Sequence, residues 1–175
     1  MNAQMLNLLD YALFREIGFG IESAEDHILE LMRKRTTVSQ NEKAIIETKN
    51  AGFKTRAFIM TGLPGESRDS AKIMIDFLER TNPDVVTLTS FIPLPGCDIY
   101  LNPSKYGVKI LTDDWTRYDI ALKWDAGTEW SHKISGISLD DMERNREMLK
   151  SYLFNKGKSN VPIYNKPYQL RSKSH

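Results

Sequence analysis

Apolar and polar positions change their period along the first hundred residues, and this change predicts three strands separated by helices. The strands are predicted at residues 13–21, 54–61 and 84–92, where apolar residues follow one another with little interruption. Helices are predicted at residues 4–12 and after Ser23, Ser39 and Ser67, each of which is a candidate helix cap. Strands that alternate with helices are typical of βαβ units and a parallel sheet. The continuous apolar runs also predict that both faces of the sheet are covered.

Beyond Pro95 the pattern is less regular. A short helix is expected from Thr112, and a clearer one from Ser138, with acids in its first turn and Gly157 at its end. Residues 156–175 carry several lysines and an arginine but no acid, which favours a mobile basic tail. The expected division is therefore residues 1–100 as an α/β unit, 101–155 as an irregular, mainly helical extension, and 156–175 as the tail.

The overall composition is that of one globular domain of 175 residues with a net charge of +1. This charge gives no bias toward nucleic acid or an anionic membrane, and no apolar run approaches the roughly 20 residues of a membrane span. We therefore expect neither as a partner.

Cysteine and histidine usage limits the chemistry that the chain can perform. The single cysteine, Cys97, can form no internal disulfide, which fits a reducing cytoplasm, and it cannot hold an iron–sulfur cluster alone. We expect it to be a small apolar filler. The three histidines lack metal-ligand spacing, so no metal site is expected.

The ends of the three predicted strands resemble one another in being rich in glycine, proline and glutamate. They read Gly18-Phe19-Gly20-Ile21-Glu22-Ser23, Thr61-Gly62-Leu63-Pro64-Gly65-Glu66-Ser67 and Phe91-Ile92-Pro93-Leu94-Pro95-Gly96. Ligands of parallel α/β folds bind at the carboxyl ends of strands, and glycine lets the backbone approach a ligand closely. A carboxylate at such an edge can accept two hydrogen bonds from a vicinal diol.

The order and spacing of these segments resemble strands four to six of the radical S-adenosylmethionine (SAM) superfamily, in particular the branch that carries an upstream cobalamin-binding domain. The resemblance covers roughly residues 5–100. It implies a partial (β/α) TIM-like barrel of three parallel strands with outer helices, which corresponds to the C-terminal half of the family's barrel. In an intact relative, a [4Fe–4S] cluster would cleave SAM reductively for radical chemistry on an organic substrate.

The resemblance also assigns residues to a SAM site. It implies that Glu22, flanked by Ser23, lies at the ribose diol, and that Lys34 reaches the methionine carboxylate. Main chain around Met60 and Gly62 would flank the adenosine. The strand end from Ser90 through Ile92 would meet the adenine edge. No catalytic residue is assigned. The interpretations that need no ligand remain open: Glu22 as a solvated acid paired with a nearby base, and Lys34 as a helix-end cation.

Two features of the family are missing from this sequence. The Cys-x-x-x-Cys-x-x-Cys loop, which belongs to the N-terminal half of the family's barrel, is absent. The fifth-strand pattern Gly-x-Ile-x-Gly-x-x-Glu is only partly met: Phe58 and Met60 occupy its first two motif positions, and Glu66 falls one residue late. The chain alone is thus expected to be inactive, with the cluster held elsewhere and cobalamin belonging to the parent system.

Two alternatives to a catalytic half-barrel remain open: a non-catalytic binding module, and a truncated product without an independent role. A half-barrel exposes strand edges and an uncovered sheet face. We therefore expect a homodimer or a complementing N-terminal half-barrel as partner.

Overall fold

The computed structural model describes residues 3–114 and 129–158, and these residues form one three-stranded sheet, one two-stranded sheet and several helices. In chain order the elements are α1 (Ala3–Tyr11), β1 (Glu16–Glu22), α2 (Asp26–Leu31), α3 (Val38–Asn50), β2 (Lys54–Thr61), α4 (Ser70–Thr81), β3 (Val85–Ser90), α5 (Asp98–Leu101), a 3-10 turn (Pro103–Tyr106), β4 (Val108–Ile110), β5 (His132–Ile134) and α6 (Leu139–Asn155).

The larger sheet is parallel, in the order β1-β2-β3, as the alternation of strands and helices predicts. Arg56 lies between Gly18 and Val85, and Thr61 lies beside Ser90. The carboxyl ends of all three strands therefore meet at one edge. The α/β half-barrel expected from the resemblance is the architecture observed.

The main core lies on one face of this sheet. Ile21, Ile59 and Leu88 point into it and pack with Phe77 of α4 and Leu153 of α6. The opposite face is only partly covered, and Phe58 on that face is 41% exposed. The expectation that both faces are covered is therefore wrong for the described residues: the strands alternate between one buried and one half-exposed side.

Several predicted boundaries shift because the capping residue differs from the one expected. Thr37 caps α3 in a reciprocal box with Gln40, two residues before the predicted Ser39. Neither Ser23 nor Ser67 caps a helix. The Ser23 hydroxyl accepts from the amide of Glu25, and α2 begins one residue later; α4 begins at Ser70.

Two of the three strands have bounds that differ from those predicted. Leu13 has a left-handed φ of 64°, so β1 begins only at Glu16, and it extends one residue past the predicted end, to Glu22. The second strand has the predicted bounds, and the third ends at Ser90 because the chain then enters the proline-rich turn.

The region after Pro95 contains an antiparallel pair of short strands that the sequence pattern did not reveal. β4 pairs with β5 through Val108 and Ile134, which join a second small core with Met142. The expected helix from Thr112 is not present through Asp114, and residues 115–128, with Trp115 and Trp124, lie outside the described residues. Cys97 is exposed rather than a buried filler, because it precedes the short surface helix α5.

Helix α6 belongs to the main core rather than to a separate layer. The helix begins after Ser138, as the sequence predicts, and the structure adds a reciprocal capping box between Ser138 and Asp141. Leu149 and Leu153 pack on the sheet.

Two residues of the predicted basic tail contact the rest of the protein: Lys156 pairs with Glu79, and Lys158 contacts the Asn82–Pro83 turn. The rest of the tail lies outside the described residues, and within those residues no helix is long and apolar enough to cross a membrane.

Candidate functional site

The carboxyl end of β1 carries an ion pair between two of the residues assigned to the SAM site. Lys34 Nζ donates to Glu22 Oε1 at 2.7 Å, and both side chains remain partly accessible. Glu22 adopts a left-handed φ of 61°, and the pairing of β1 with β2 shifts by one residue there. This irregular backbone directs Glu22 over the half-exposed face of the sheet, toward the loop after α2 that carries Lys34.

Gly20 makes room for this ion pair. A Cβ atom at Gly20 would lie 2.7 Å from both Glu22 Oε1 and Lys34 Nζ. The two charged groups therefore lie directly against the β1 backbone, with no side chain between them.

Ser23 and Met60 line a small buried pocket on the helix-covered side of the same edge. Glu66, in the turn after β2, lies in this pocket and accepts a hydrogen bond from the amide of Leu63 at 3.1 Å. Burial raises the pKa of the Glu66 carboxyl to about 7, although the Leu63 amide acts against this shift. Glu66 thus holds the turn that follows Gly62.

Two aromatic residues of the extension contact Gly62. His132 Nε2 donates to the Gly62 carbonyl at 2.8 Å, and the His132 ring stands edge-on to Phe91 and Trp130. A Cβ atom at Gly62 would lie 2.4 Å from the Trp130 ring. Burial lowers the pKa of His132, so this imidazole is neutral near pH 7. The β4–β5 hairpin therefore covers the end of β2.

The end of β3 borders a different space. Ser90 is buried beside Thr61, whereas Ile92 lines an open cleft of about 330 Å³ together with Met32, Phe91 and Leu94. This cleft is mostly apolar and is large enough for a small organic group. It lies between α2 and the turn after β3.

The half-exposed face of the sheet carries a second ion pair that the sequence interpretation did not single out. Arg56 Nε donates to Glu16 Oε1 at 2.6 Å, and Arg56 also approaches Thr87. The ring of Phe58 lies against Gly18, where a Cβ atom would come within 2.8 Å of it. The face is thus polar toward the amino ends of the strands and carries the Glu22–Lys34 pair at the carboxyl ends.

The seven predicted residues are brought to one edge of the sheet but not into one cavity. Glu22 contacts Lys34, Ser23 and Met60 line the buried pocket, and Ile92 lines the apolar cleft. Gly62 is covered by the hairpin. The contributions of Glu66, Trp130 and His132 were missed; only Glu66 had a local signal, since it lies one residue from a motif position.

Comparison with protein families identifies a match to the model of the radical SAM superfamily over residues 1–78. Among curated proteins, the anaerobic magnesium-protoporphyrin IX monomethyl ester cyclase of Rubrivivax gelatinosus is 29% identical over 112 residues, which cover 61% of this chain and 20% of that protein. An uncharacterized methyltransferase of Pyrococcus horikoshii is 30% identical over 105 residues, covering 58% of this chain and 22% of the relative. The chain thus spans about a fifth of the length of these relatives.

Solved structures show the same fold. The coproporphyrinogen III oxidase HemN of Escherichia coli, a radical SAM enzyme, matches with a TM-score of 0.61 at 15% identity, over 90% of this chain and 30% of HemN. The radical SAM methyltransferase TsrM of Kitasatospora setae, solved with cobalamin and a [4Fe–4S] cluster, matches with a TM-score of 0.64 at 13% identity, over 100% of this chain and 38% of TsrM.

Proposed function

We propose that this chain is a radical SAM protein and forms part of the wall that binds SAM and faces the substrate, a proposal supported by the match over residues 1–78 and by the similar curated proteins and folds. The observation that carries the proposal is the Glu22–Lys34 ion pair at the carboxyl edge of the parallel sheet. It places an acceptor suited to a ribose diol 2.7 Å from a cation suited to a carboxylate, on partly accessible side chains. Lys34 can exchange the Glu22 carboxylate for a ligand carboxylate, and Glu22 can exchange the Lys34 ammonium for the hydroxyl groups of a diol.

The residues of this chain do not fit an iron–sulfur cluster. Such clusters need three or four thiolates, and the sequence has one cysteine, which is exposed beside α5. The cluster of the proposed enzyme is therefore coordinated by cysteines outside this sequence. What this chain supplies is binding and orientation: charge complementarity at Glu22 and Lys34, and backbone held in place around Gly62 and Ser90.

Cobalamin belongs to the same proposal only through the branch that the sequence resembles. TsrM contains it, and no residue described here is assigned to it. The organic substrate would face the half-exposed side of the sheet, since the opposite face is filled by α3, α4 and α6.

The single cysteine favours a second candidate, a binding module that keeps the nucleoside site without the chemistry. Genomic sequence immediately upstream of Met1 separates the two. An in-frame Cys-x-x-x-Cys-x-x-Cys there supports the enzyme, whereas a stop codon with no such motif in a neighbouring gene supports the module.

Isothermal titration calorimetry with SAM tests the site directly. We expect weak binding to the full chain, because no iron chelates the methionine group, and a further loss in Glu22→Gln and in Lys34→Met. Removing a hydrogen bond to a charged group costs about 1.5–3 kcal/mol. Because the two residues are paired, the double variant should lose less than the sum of the single losses.

The matched control is Glu30→Gln, which alters an exposed acid on α2 and should leave binding unchanged. Equal affinity of the wild-type chain and both single variants would remove this ion pair from the site, and an absence of any SAM binding would contradict the proposal.

A further inference from the structure

The small pocket beside β2 contains buried oxygen atoms that have no partner. Thr61 Oγ1, Glu66 Oε2 and Asn145 Oδ1 are inaccessible and make no hydrogen bond with any described residue. All three residues line one pocket of about 10 Å³, between the end of β2, α4 and α6. Buried polar atoms are nearly always satisfied, so three such atoms around one space indicate an occupant.

The orientation of these oxygens is set by their neighbouring atoms. Asn145 Nδ2 donates to the Ser67 carbonyl at 2.8 Å, which fixes the amide so that its oxygen is the free atom. The Leu63 and Gly62 amides both act on the Glu66 carboxyl; Oε1 accepts from Leu63 at 3.1 Å, and Oε2 makes no hydrogen bond with any described residue. The free oxygens of Asn145 and Glu66 are therefore held in place by hydrogen bonds outside the pocket, and the Thr61 hydroxyl oxygen, which can also accept, lies beside them.

The charge around the pocket is negative. The Glu25 carboxylate also lines it and accepts a hydrogen bond from the Ser70 hydroxyl. Its charge acts on Glu66, and no lysine, arginine or histidine is among the lining residues. A buried carboxyl beside a second carboxylate either keeps its proton or is balanced by an occupant that brings positive charge.

We propose that this pocket binds one hard metal cation, coordinated by the side-chain oxygens of Thr61, Glu66 and Asn145, with Glu25 balancing its charge. The volume admits one water-sized particle, and an all-oxygen donor set of carboxylate, amide and hydroxyl groups selects Na⁺, Mg²⁺ or Ca²⁺ over softer metals. Among the described residues, Glu25 and Glu66 are the only His, Cys, Asp or Glu residues that line this pocket, so the neutral oxygens of Thr61 and Asn145 are essential to the proposed site.

The ion has a structural consequence at the carboxyl edge of the sheet. It joins the last residue of β2 and the adjacent turn after Gly62 to helix α6, which lies far along the chain. Binding would hold the backbone next to Gly62 in place.

The experiment is thermal unfolding of the full chain in NaCl, MgCl₂ or CaCl₂, compared with choline chloride at equal ionic strength. We expect at least one metal ion to raise the melting temperature with a saturable dose response, since a ligand that binds only the folded state stabilises it. An identical response to every salt would overturn the proposal and leave a water molecule and a protonated Glu66 as the contents of the pocket.

Two variants locate the ion. Glu66→Gln keeps the side-chain shape but removes the charge, and should weaken the fitted ion affinity at least about tenfold, the lower end of the loss seen when even an outer partner of a metal site is removed. Thr61→Val, which replaces the hydroxyl with a methyl group, should also weaken it and serves if the first variant does not fold. Glu30→Gln is the control and should respond as the wild type does. An undiminished ion response in both pocket variants would also overturn the proposal.

Discussion

Gly20 and Gly62 differ in the neighbouring atoms that an added side chain would meet. Gly20 and Gly62 both lie at the carboxyl edge, but Gly20 faces the mobile ends of two side chains, whereas Gly62 faces a fixed aromatic ring. Gly62 also has a left-handed φ of 81°, a conformation that glycine adopts without steric cost. Gly20 therefore leaves room for two flexible charged side chains, whereas Gly62 permits both a left-handed turn and close packing of Trp130.

We predict that Gly62→Ala destabilises the protein more than Gly20→Ala does. The added methyl group at Gly62 would lie 2.4 Å from Trp130, and overpacking of this kind costs about 1–3 kcal/mol. At Gly20 the Glu22–Lys34 pair can move aside, with a loss of about 1 kcal/mol or less. Urea unfolding of both variants measures the difference; equal losses would show that Trp130 is not fixed over Gly62.

His132 gives the stability a pH dependence. Burial lowers its pKa below the 6.5 of an exposed imidazole, so the unfolded chain takes up this proton at a higher pH than the folded chain does. The contribution of His132 to the free energy of unfolding should therefore be constant above about pH 6.5. It should fall as the pH drops from there toward the folded-state pKa of His132.

The variant His132→Gln keeps a donor for the Gly62 carbonyl but does not titrate, so the slope of stability against pH between about 6.5 and 5 should be smaller than in the wild type. The matched control is His27→Gln, since exposed His27 also contacts a glycine carbonyl, that of Gly65. A reduced slope in the control but not in His132→Gln would contradict the assignment.

At the scale of elements, α6 links the extension to the half-barrel. Its capping box at Ser138 and Asp141 fixes where it begins, and its apolar stripe completes the core beneath the sheet. The extension thus contributes side chains to the core beneath the sheet, and it also supplies the residues that cover Gly62.

We predict that Leu153→Ala destabilises the whole protein by about 2–5 kcal/mol, the range for truncating a fully buried leucine. The adjacent Phe154 is 71% exposed, so Phe154→Ala should change stability little. Chemical unfolding followed by both near- and far-ultraviolet circular dichroism checks this. Loss of the helix alone, with the sheet still unfolding at the wild-type midpoint, would show that α6 is a separate unit.

At the scale of the molecule, the described chain exposes apolar surface and two strand edges without a partner strand, of which the β3 edge is partly covered because the Val86 amide donates to the Lys158 carbonyl. Met5, Leu8 and Tyr11 of α1 are each more than half exposed, and β1 and β3 pair only with β2 among the described strands. A net charge of +1 provides little repulsion between copies.

We therefore predict that the chain self-associates or binds a complementing half-barrel. Size-exclusion chromatography with light scattering should show a mass that rises with concentration, and Leu8→Lys on the exposed face of α1 should lower it. A monomer over a wide concentration range with a cooperative melt would contradict the prediction.

The sequence by itself determined the features that depend on neighbouring residues. The order of strands and helices, the bounds of β2 and the cap of α6 follow from local periodicity and from side chains three or four positions apart. Glu22 and Lys34 were also singled out from the sequence, through motif resemblance, although their role as SAM ligands remains a prediction.

Only the tertiary structure decided which of these residues meet. The Glu22–Lys34 pair depends on the left-handed backbone of Glu22 and on a register shift in β1. Residues other than glycine rarely adopt this conformation, so the sequence around Glu22 gives no reason to expect it. His132 donates a hydrogen bond to Gly62, 70 residues earlier in the chain, and β4 pairs with β5 although residues 111–131 separate them in sequence. Contacts of this kind are set by how the whole core packs, because nothing in the local pattern of either segment specifies its distant partner.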